Sequence, residues 1–430
     1  MFSAFVGITP AHAVPSFARQ TGMTCNACHT TIPELTAFGR QFKMGGYTEK
    51  VDGAPKFPLA MWMMGGFSHA RKPLSTPPLA NSNKTNNITS LDQISIFLAG
   101  KLFDNVGAFI QLTYDPNAHA WGWDNTDIRY TRTGTLFGKS ATYGLSLNNN
   151  PTVQDPWATL PAWGYPAFDS AVMPEYGLPG TLLQGTLAQQ VLGLTGHVSF
   201  DNGLYAEFGG YSGLSQGTLK SLGAAGAGFG VGGLAPYLRI AKSQDVGGGT
   251  LMVGGIAMMA NLEPNYTGAL GKDRYIDLGL DSQFDYQGSN YGLTFKARDI
   301  MEWQHLTATH ALGNSTNVKN RLNTLDLSLT YYKPKWAVIG AYSNVTGTSD
   351  AALYGPNSVA NSPNGSSVSI EANYSPWMGG SPFSYKDTNL KFGVKYTHFL
   401  KLYGGTSNFD GKGHNAAGND YVFLYTLFAF

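Results

Sequence analysis

Apolar and polar residues alternate at every second position in many short segments of this chain. In segment 191–200, Leu192 and Leu194 share one face, whereas Thr195 and His197 share the opposite face. Period-two alternation of this kind predicts β-strands, because successive side chains of a strand point to opposite sides. A soluble β-sandwich would show the same pattern. The alternation recurs in segments 275–286, 324–331 and 390–397.

The links between these predicted strands alternate between short and long. From Pro58 onward the pattern predicts about sixteen strands of roughly ten residues, a length that crosses a bilayer at a tilt. Short turns at one rim and long loops at the other are typical of outer-membrane β-barrels. The link 375–389 is the exception, because it is long where a short turn is due. Tight turns are predicted at 104–107, 138–140, 201–203, 288–290 and 333–335, and long loops at 70–88, 150–189, 213–233, 305–320 and 346–366.

Composition supports an all-β transmembrane barrel of about sixteen antiparallel strands. Charged residues make up 13% and aromatic residues 13% of the 430 residues, which include 54 glycines. The net charge of +1 shows no excess of basic residues that would indicate binding of nucleic acid. No apolar run is long enough for a transmembrane helix. The aromatic-rich end, 421–430, resembles the terminal strand of bacterial outer-membrane proteins, although an ordinary buried strand would look similar.

Both cysteines lie in one string, Cys25-Asn26-Ala27-Cys28-His29. This CxxCH pattern is the attachment signature of a c-type haem. Two thiols three positions apart can bond to the two vinyl groups of one porphyrin, and the adjacent His29 can then bind the iron as proximal ligand. Two cysteines cannot complete a four-cysteine zinc site, a thioredoxin-like pair needs a βαβ context, and a structural disulfide needs no histidine.

The chain is expected to be exported. Segment 1–13 is apolar and ends Ala11-His12-Ala13, which suits signal-peptide cleavage before Val14. The basic residues that normally open a signal peptide are missing, so the true start is open and a frayed apolar terminus is the alternative. Export agrees with the haem motif, because c-type haem is attached outside the cytoplasm. An even strand count would place both termini in the periplasm and loops such as 150–189 outside, open to added protease.

Three parts are therefore predicted: a signal-peptide remnant at 1–13, a monohaem cytochrome c segment at 14–57 and a barrel at 58–430. The haem segment should contain helices that begin near Thr21 and near Pro33. About forty residues are marginal for an independent core. Their expected radius of gyration, roughly 9 Å, would let the segment plug a lumen of porin width.

The haem segment contains the motifs FARQT at 17–21, CxxCH, PEL at 33–35, FGR at 38–40 and GY at 46–47. With these motifs it resembles the fused monohaem cytochrome–porins of iron-oxidising bacteria. The resemblance implies an outer-membrane iron(II) oxidoreductase, which takes electrons from extracellular Fe(II) and passes them through one haem c to periplasmic c-type cytochromes. It covers about the first fifty residues closely and implies haem attachment at Cys25 and Cys28 and iron ligation by His29, but no iron-binding site.

Two other functions fit the same sequence. One is a passive diffusion porin whose haem segment is an accessory electron carrier. The other is a conduit for a donor other than soluble Fe(II), such as a mineral, an electrode or a partner cytochrome.

The sixth iron ligand and the place where iron is captured are left open by the sequence. Arg19 and Arg40 are candidates to pair with haem propionates, or with surface carboxylates. Carboxylates suit weak capture of Fe(II), although solvated strand-face charge would look the same. The candidate carboxylates are Asp277, Asp281 and Asp285, and the candidate sixth ligands are Met44, Met61, Met63, Met64 and His69.

Overall fold

The computed structural model describes residues 14–53, 58–74, 85–115, 119–224, 226–380 and 388–430. The predicted signal-peptide remnant and the junction at 54–57 lie outside the described residues. The strands are β1 (Leu59–Ala70), β2 (Asn87–Phe103), β3 (Val106–Asp115), β4 (Ala120–Leu136), β5 (Lys139–Asn148), β6 (Val191–Phe200), β7 (Leu204–Gly213), β8 (Phe229–Val231), β9 (Leu234–Val246), β10 (Gly249–Pro264), β11 (Asp273–Gln287), β12 (Gly292–His305), β13 (Lys319–Lys333), β14 (Trp336–Gly347), β15 (Gly365–Tyr374), β16 (Asn389–Lys401) and β17 (Tyr421–Ala429).

Sixteen long antiparallel strands close into one barrel, as the sequence predicted. Closure comes from β1, which pairs with β2 on one side and with β17 on the other. The short β8 pairs with the end of β10, and β9 lies between β7 and β10. Because each of the sixteen long strands has two neighbours, the barrel has no free edge that would expose backbone groups to lipid.

The barrel is apolar outside and polar inside. On β11, Leu280 points outward and is 70% exposed, whereas its neighbour Asp281 points inward and is 4% exposed. On β16, Phe392 is 42% exposed and Lys391 is 1% exposed. An outer face of this kind is stable against hydrocarbon and not in water, so the fold is that of an outer-membrane transmembrane barrel.

The two rims differ as the sequence predicted. One rim, here called the turn rim, carries the short turns 104–105, 137–138, 201–203, 247–248, 288–291 and 334–335. The opposite rim, the loop rim, carries the long connections. The long link between β15 and β16, which the sequence singled out, joins strand ends at the turn rim, and its residues 381–387 lie outside the described residues. The start of β1 and the chain end meet at this rim, where Met61 and Phe430 exchange backbone hydrogen bonds of 2.8 and 2.9 Å.

The helices are short. They are α1 (Pro15–Thr21), α2 (Cys25–Cys28), α3 (Ala37–Met44), α4 (Gln216–Ser221), α5 (Thr307–Ala311) and α6 (Ala351–Tyr354), with 3-10 turns at Pro161–Trp163, Gly355–Asn357 and Ala416–Asn419 and a π-helical turn at Leu182–Thr186. Within the described ranges, none of the helices combines the length and the apolar surface needed to span a bilayer.

Two helix starts were predicted wrongly. The first helix ends at Thr21 instead of beginning there, because Gly22 adopts a left-handed conformation (φ 67°) that terminates it. The helix expected near Pro33 begins at Ala37, where the Thr36 side chain accepts a hydrogen bond from the Gly39 backbone and caps the first turn.

The N-terminal helical segment lies inside the barrel and contacts its wall on several sides. Ser16 donates a 2.6 Å hydrogen bond to the Ala99 carbonyl of β2, and the Lys391 ammonium of β16 donates a 2.7 Å bond to the Ile32 carbonyl. Lys296 of β12 forms an ion pair with Glu34. Because these strands lie on different sides of the barrel, the segment reaches across the lumen.

Segment 149–190, between β5 and β6, also folds into the lumen. The expectation of a protease-accessible outer loop is therefore wrong for most of its length. Thr152, Val153 and Leu160 are completely buried, and the Leu183 backbone donates a 2.9 Å hydrogen bond to Asp277 on the wall. Its apolar residues make this the stable position, because an outward loop would expose them to water. They include Val153, Trp157, Leu160, Trp163, Phe168, Leu182 and Leu183.

Candidate haem site

An apolar cavity opens between the N-terminal helices, segment 149–190 and the barrel wall. Cys25, Cys28 and His29 all line it. The apolar part of the lining includes Val14, Pro15, Phe17, Leu35, Phe42, Phe109, Ala158, Trp163 and Ala429.

The haem motif is presented by α2, a single helical turn. Cys25 and Cys28 are its first and last residues, and this three-residue spacing puts both thiols on one face of the turn. Burial raises the pKa of the Cys28 thiol to about 12, so this thiol is neutral. The structure therefore brings together the three residues that the sequence predicted for haem attachment and ligation.

His29 is held in the orientation that an iron ligand needs. Its Nδ1 lies 3.1 Å from the Pro33 carbonyl oxygen, and a hydrogen bond donated there leaves Nε2 as the nitrogen able to bind metal. Burial lowers the pKa of His29 to about 4, so the ring is neutral near pH 7, the form that coordinates a metal.

Gly39 allows α3 to pack directly against the haem turn. A Cβ atom at this position would lie 2.3 Å from the Cys28 carbonyl oxygen, well inside van der Waals contact. The same packing is supported by Thr36, whose hydroxyl donates a 2.7 Å hydrogen bond to the Ala27 carbonyl. The Phe-Gly-Arg motif is thus explained by close approach of two backbones.

These residues fit a covalently bound haem c. The apolar lining suits a porphyrin, the two thiols share one face of the cavity, and a neutral imidazole stands beside them. When bound, such a group would supply an iron centre that gains and loses one electron. Cys25 and Cys28 would hold the porphyrin and His29 would bind its iron.

None of the five candidate sixth ligands lines the cavity. Met61, Met63 and His69 alternate with the buried residues of β1 and therefore face outward, toward lipid. Met64 faces inward but packs in the aromatic core beside the cavity, and Met44 packs against the cluster around Trp157.

Two lining side chains with donor atoms were missed. Met23 lies two residues before Cys25, and Lys43 extends from α3 into the cavity, where its ammonium donates hydrogen bonds of 2.7 and 2.8 Å to the Val153 and Asp155 carbonyls. Met23 could have been predicted, because it lies two residues from the haem motif in the sequence. The position of Lys43 depends on segment 149–190, which the sequence placed outside.

The predicted carboxylate cluster is not an open capture site for iron. Asp281 is paired with Arg239 at 2.7 Å, and Asp285 with Arg40 at 2.9 Å, while Asp277 holds segment 149–190 and is fully buried. Neither Arg40 nor Arg19 lines the cavity. Across the described ranges, no three or more His, Cys, Asp and Glu side chains are grouped to hold a metal ion.

The cavity lies near the turn rim. Two of its lining residues are Asn389, the first residue of β16, and Ala429, the last residue of β17. A third, Phe109, is four positions after the turn at 104–105. A group bound here would sit close to the compartment that the turn rim faces.

Comparison with solved structures finds other barrels of the outer membrane. The chain is similar to the channel DcaP of Acinetobacter baumannii (TM-score 0.47, 11% identity, 86% of this chain and 96% of that chain) and to OmpF of Salmonella typhi in complex with daunomycin (0.47, 13%, 86% and 97%). It is also similar to an anion-selective porin from Comamonas acidovorans (0.46, 12%, 86% and 98%). No family model and no curated protein matches the chain.

Proposed function

We propose that this protein is an electron conduit of the outer membrane. In this proposal it carries one haem c on Cys25 and Cys28 with His29 as iron ligand, accepts electrons from extracellular Fe(II) and delivers them to a periplasmic c-type cytochrome. The observation that carries the proposal is the position of CxxCH on the lining of an apolar cavity inside a transmembrane barrel.

The filled lumen supports conduction of electrons rather than solutes. The N-terminal segment and segment 149–190 both occupy it and bond to inward-facing side chains of the wall. Such contacts include Tyr47 to Asp127 at 2.6 Å and Thr31 to Asn373 at 3.1 Å. An electron can cross packed protein, whereas a hydrated solute needs an open path.

The position of the cavity suits delivery to the periplasm. In the proposed orientation the turn rim faces the periplasm, so a haem at this rim is close to a soluble acceptor. Keeping the donor on the opposite side would also leave insoluble Fe(III) outside the cell. Fe(II) is then a substrate that approaches the loop rim and releases one electron.

The first test is haem content and its response to iron. Purified protein should carry one covalent haem by mass spectrometry, and anaerobic addition of Fe(II) should change the haem absorbance to that of the reduced form. A protein without covalent haem would overturn the proposal. If dithionite reduces the haem but Fe(II) does not, the electron-conduit function still stands and Fe(II) is excluded as its donor.

A passive diffusion porin with an accessory haem is the second candidate. The strand number and the rim architecture favour it, as does the likeness to proteins described as channels and porins. Conductance in planar bilayers separates the two functions. We expect little ion current from the intact protein and more current after deletion of 14–53, one of the two segments that fill the lumen, whereas a large current from the intact protein would favour the porin.

A further inference from the structure

The haem cavity and the loop rim are far apart, which raises the question of how an electron crosses the lumen. Ala429 lines the cavity, and Phe423 lies six residues away on the same strand, toward the loop rim. At about 3.3 Å per residue this separation is roughly 20 Å along β17. Tunnelling over such a distance is slow unless closely packed groups bridge it.

A continuous series of aromatic rings covers this distance. It begins with Trp163 and Phe109, which line the cavity and lie 5.7 Å apart between ring centroids. From there it runs along the inner wall of β2, β1 and β17 and includes one ring from segment 149–190. The further centroid distances are 5.7 Å (Phe109–Phe97), 5.4 Å (Phe97–Trp62), 6.1 Å (Trp62–Phe168), 5.4 Å (Phe168–Tyr425) and 5.4 Å (Tyr425–Phe423).

The rings are buried and confined to one side of the barrel. Trp62, Phe97 and Phe423 have no exposed surface, and Phe168 is 1% exposed. The opposite wall, on β9 to β12, carries buried ion pairs, such as Arg239 with Asp281, and its aromatic pair of Tyr237 with Tyr211 is separate from this series. General packing of the lumen would not require all these aromatic rings to form one unbroken series from the cavity.

The outer end of the series lies near the loop rim. Phe423 is two residues after Tyr421, the first residue of β17. The Tyr421 hydroxyl donates a 2.7 Å hydrogen bond to Asp169, and the Tyr425 hydroxyl donates a 2.6 Å bond to Glu371. These bonds hold both phenol rings in place at the wall, so the geometry of the series is constrained at this end.

We propose that this aromatic series, Trp163, Phe109, Phe97, Trp62, Phe168, Tyr425 and Phe423, is the electron path between the loop rim and the haem cavity. The inference rests on the proposed function. With a haem bound in the cavity, the path would carry one electron: a donor metal centre at the loop rim would be oxidised by one electron, and the haem iron would be reduced by one. The rings form and break no bond, and no proton or further reactant is required.

The path can be tested with an electron source other than Fe(II). Ser407, exposed in the loop before β17, is changed to Cys and labelled with a ruthenium(II) polypyridyl complex. In the haem-loaded protein, a light pulse makes the label a one-electron donor, and transient absorbance then gives the rate at which the electron arrives. The test variants are Trp62→Leu and Phe168→Leu, which remove a ring from two different segments.

Two control variants separate ring coupling from packing. Trp62→Phe keeps a ring at the same place, and Met64→Leu changes a buried inward side chain of the same strand that belongs to no ring pair of the series. Haem absorbance and thermal unfolding identify any variant that fails to fold. If Trp62→Leu does not fold, Phe168→Leu still tests the path.

We expect a several-fold slower rate in Trp62→Leu and Phe168→Leu, near recovery in Trp62→Phe and no change in Met64→Leu. Equal rates in all variants, or an equal loss in Met64→Leu, would overturn the path. Absence of electron arrival in the unsubstituted labelled protein would also overturn it. If the rate depends on the rings but the haem does not respond to Fe(II), the aromatic path is supported and Fe(II) is excluded as the donor.

Discussion

The ion pair between Glu34 and Lys296 is expected to hold the N-terminal segment against the barrel wall. The two side chains are only 12% and 7% exposed, and the Lys296 ammonium also donates a 3.1 Å hydrogen bond to the Ala158 carbonyl. Glu34→Gln would leave a buried ammonium without its carboxylate. Breaking a buried pair on one side typically costs about 3–5 kcal/mol.

This cost should appear as easier release of the segment from the wall. At 1.4 kcal/mol per tenfold change, 3–5 kcal/mol corresponds to amide exchange that is roughly a hundredfold to a few thousandfold faster. Hydrogen exchange followed by mass spectrometry, on peptides that cover residues 30–45, measures it directly. Peptides from β5 and β6, away from the pair, serve as internal reference.

The matched control removes both charges. In the double variant with Glu34→Gln and Lys296→Met no buried charge is left uncompensated, so exchange should return most of the way toward that of the unsubstituted protein. The reasoning fails if Glu34→Gln changes exchange less than threefold. It also fails if the double variant opens as readily as the single one, because the charge would then not be the cause.

Three further outcomes are expected. Cys28→Ala should lose one thioether bond and lower the yield of covalent haem by mass spectrometry, and an undiminished yield would contradict its role. Gly39→Ala should destabilise the haem turn by about 1–3 kcal/mol in thermal unfolding, because the added methyl group meets the Cys28 carbonyl, whereas Gly340→Ala meets nothing within 4 Å and should be neutral. Burial lowers the pKa of Lys43 from 10.5 to about 7, so the folded protein binds fewer protons than the unfolded chain between these pH values. Stability should therefore rise with pH across that interval by up to about 1.4 kcal/mol per unit, and Lys43→Met should flatten the rise.

The sequence by itself determined the barrel and the motif that we propose attaches a haem. Period-two alternation decides which side chains face lipid, and short turns between strands decide which rim they share, so both are readable without tertiary contacts. The motif at Cys25, Cys28 and His29 is equally local, because one helical turn sets the relation between the two thiols.

Only the tertiary structure decided what fills the lumen and surrounds the motif. Segment 149–190 has the length of an outer loop, yet its buried contacts with Asp277 and Lys43 place it inside. Strand register decides whether Met61 and Met64 face the lumen or the lipid, because a shift of one residue exchanges the two sides. The aromatic series from Trp163 to Phe423 joins rings that are distant in the chain, so its continuity arises only when the barrel closes.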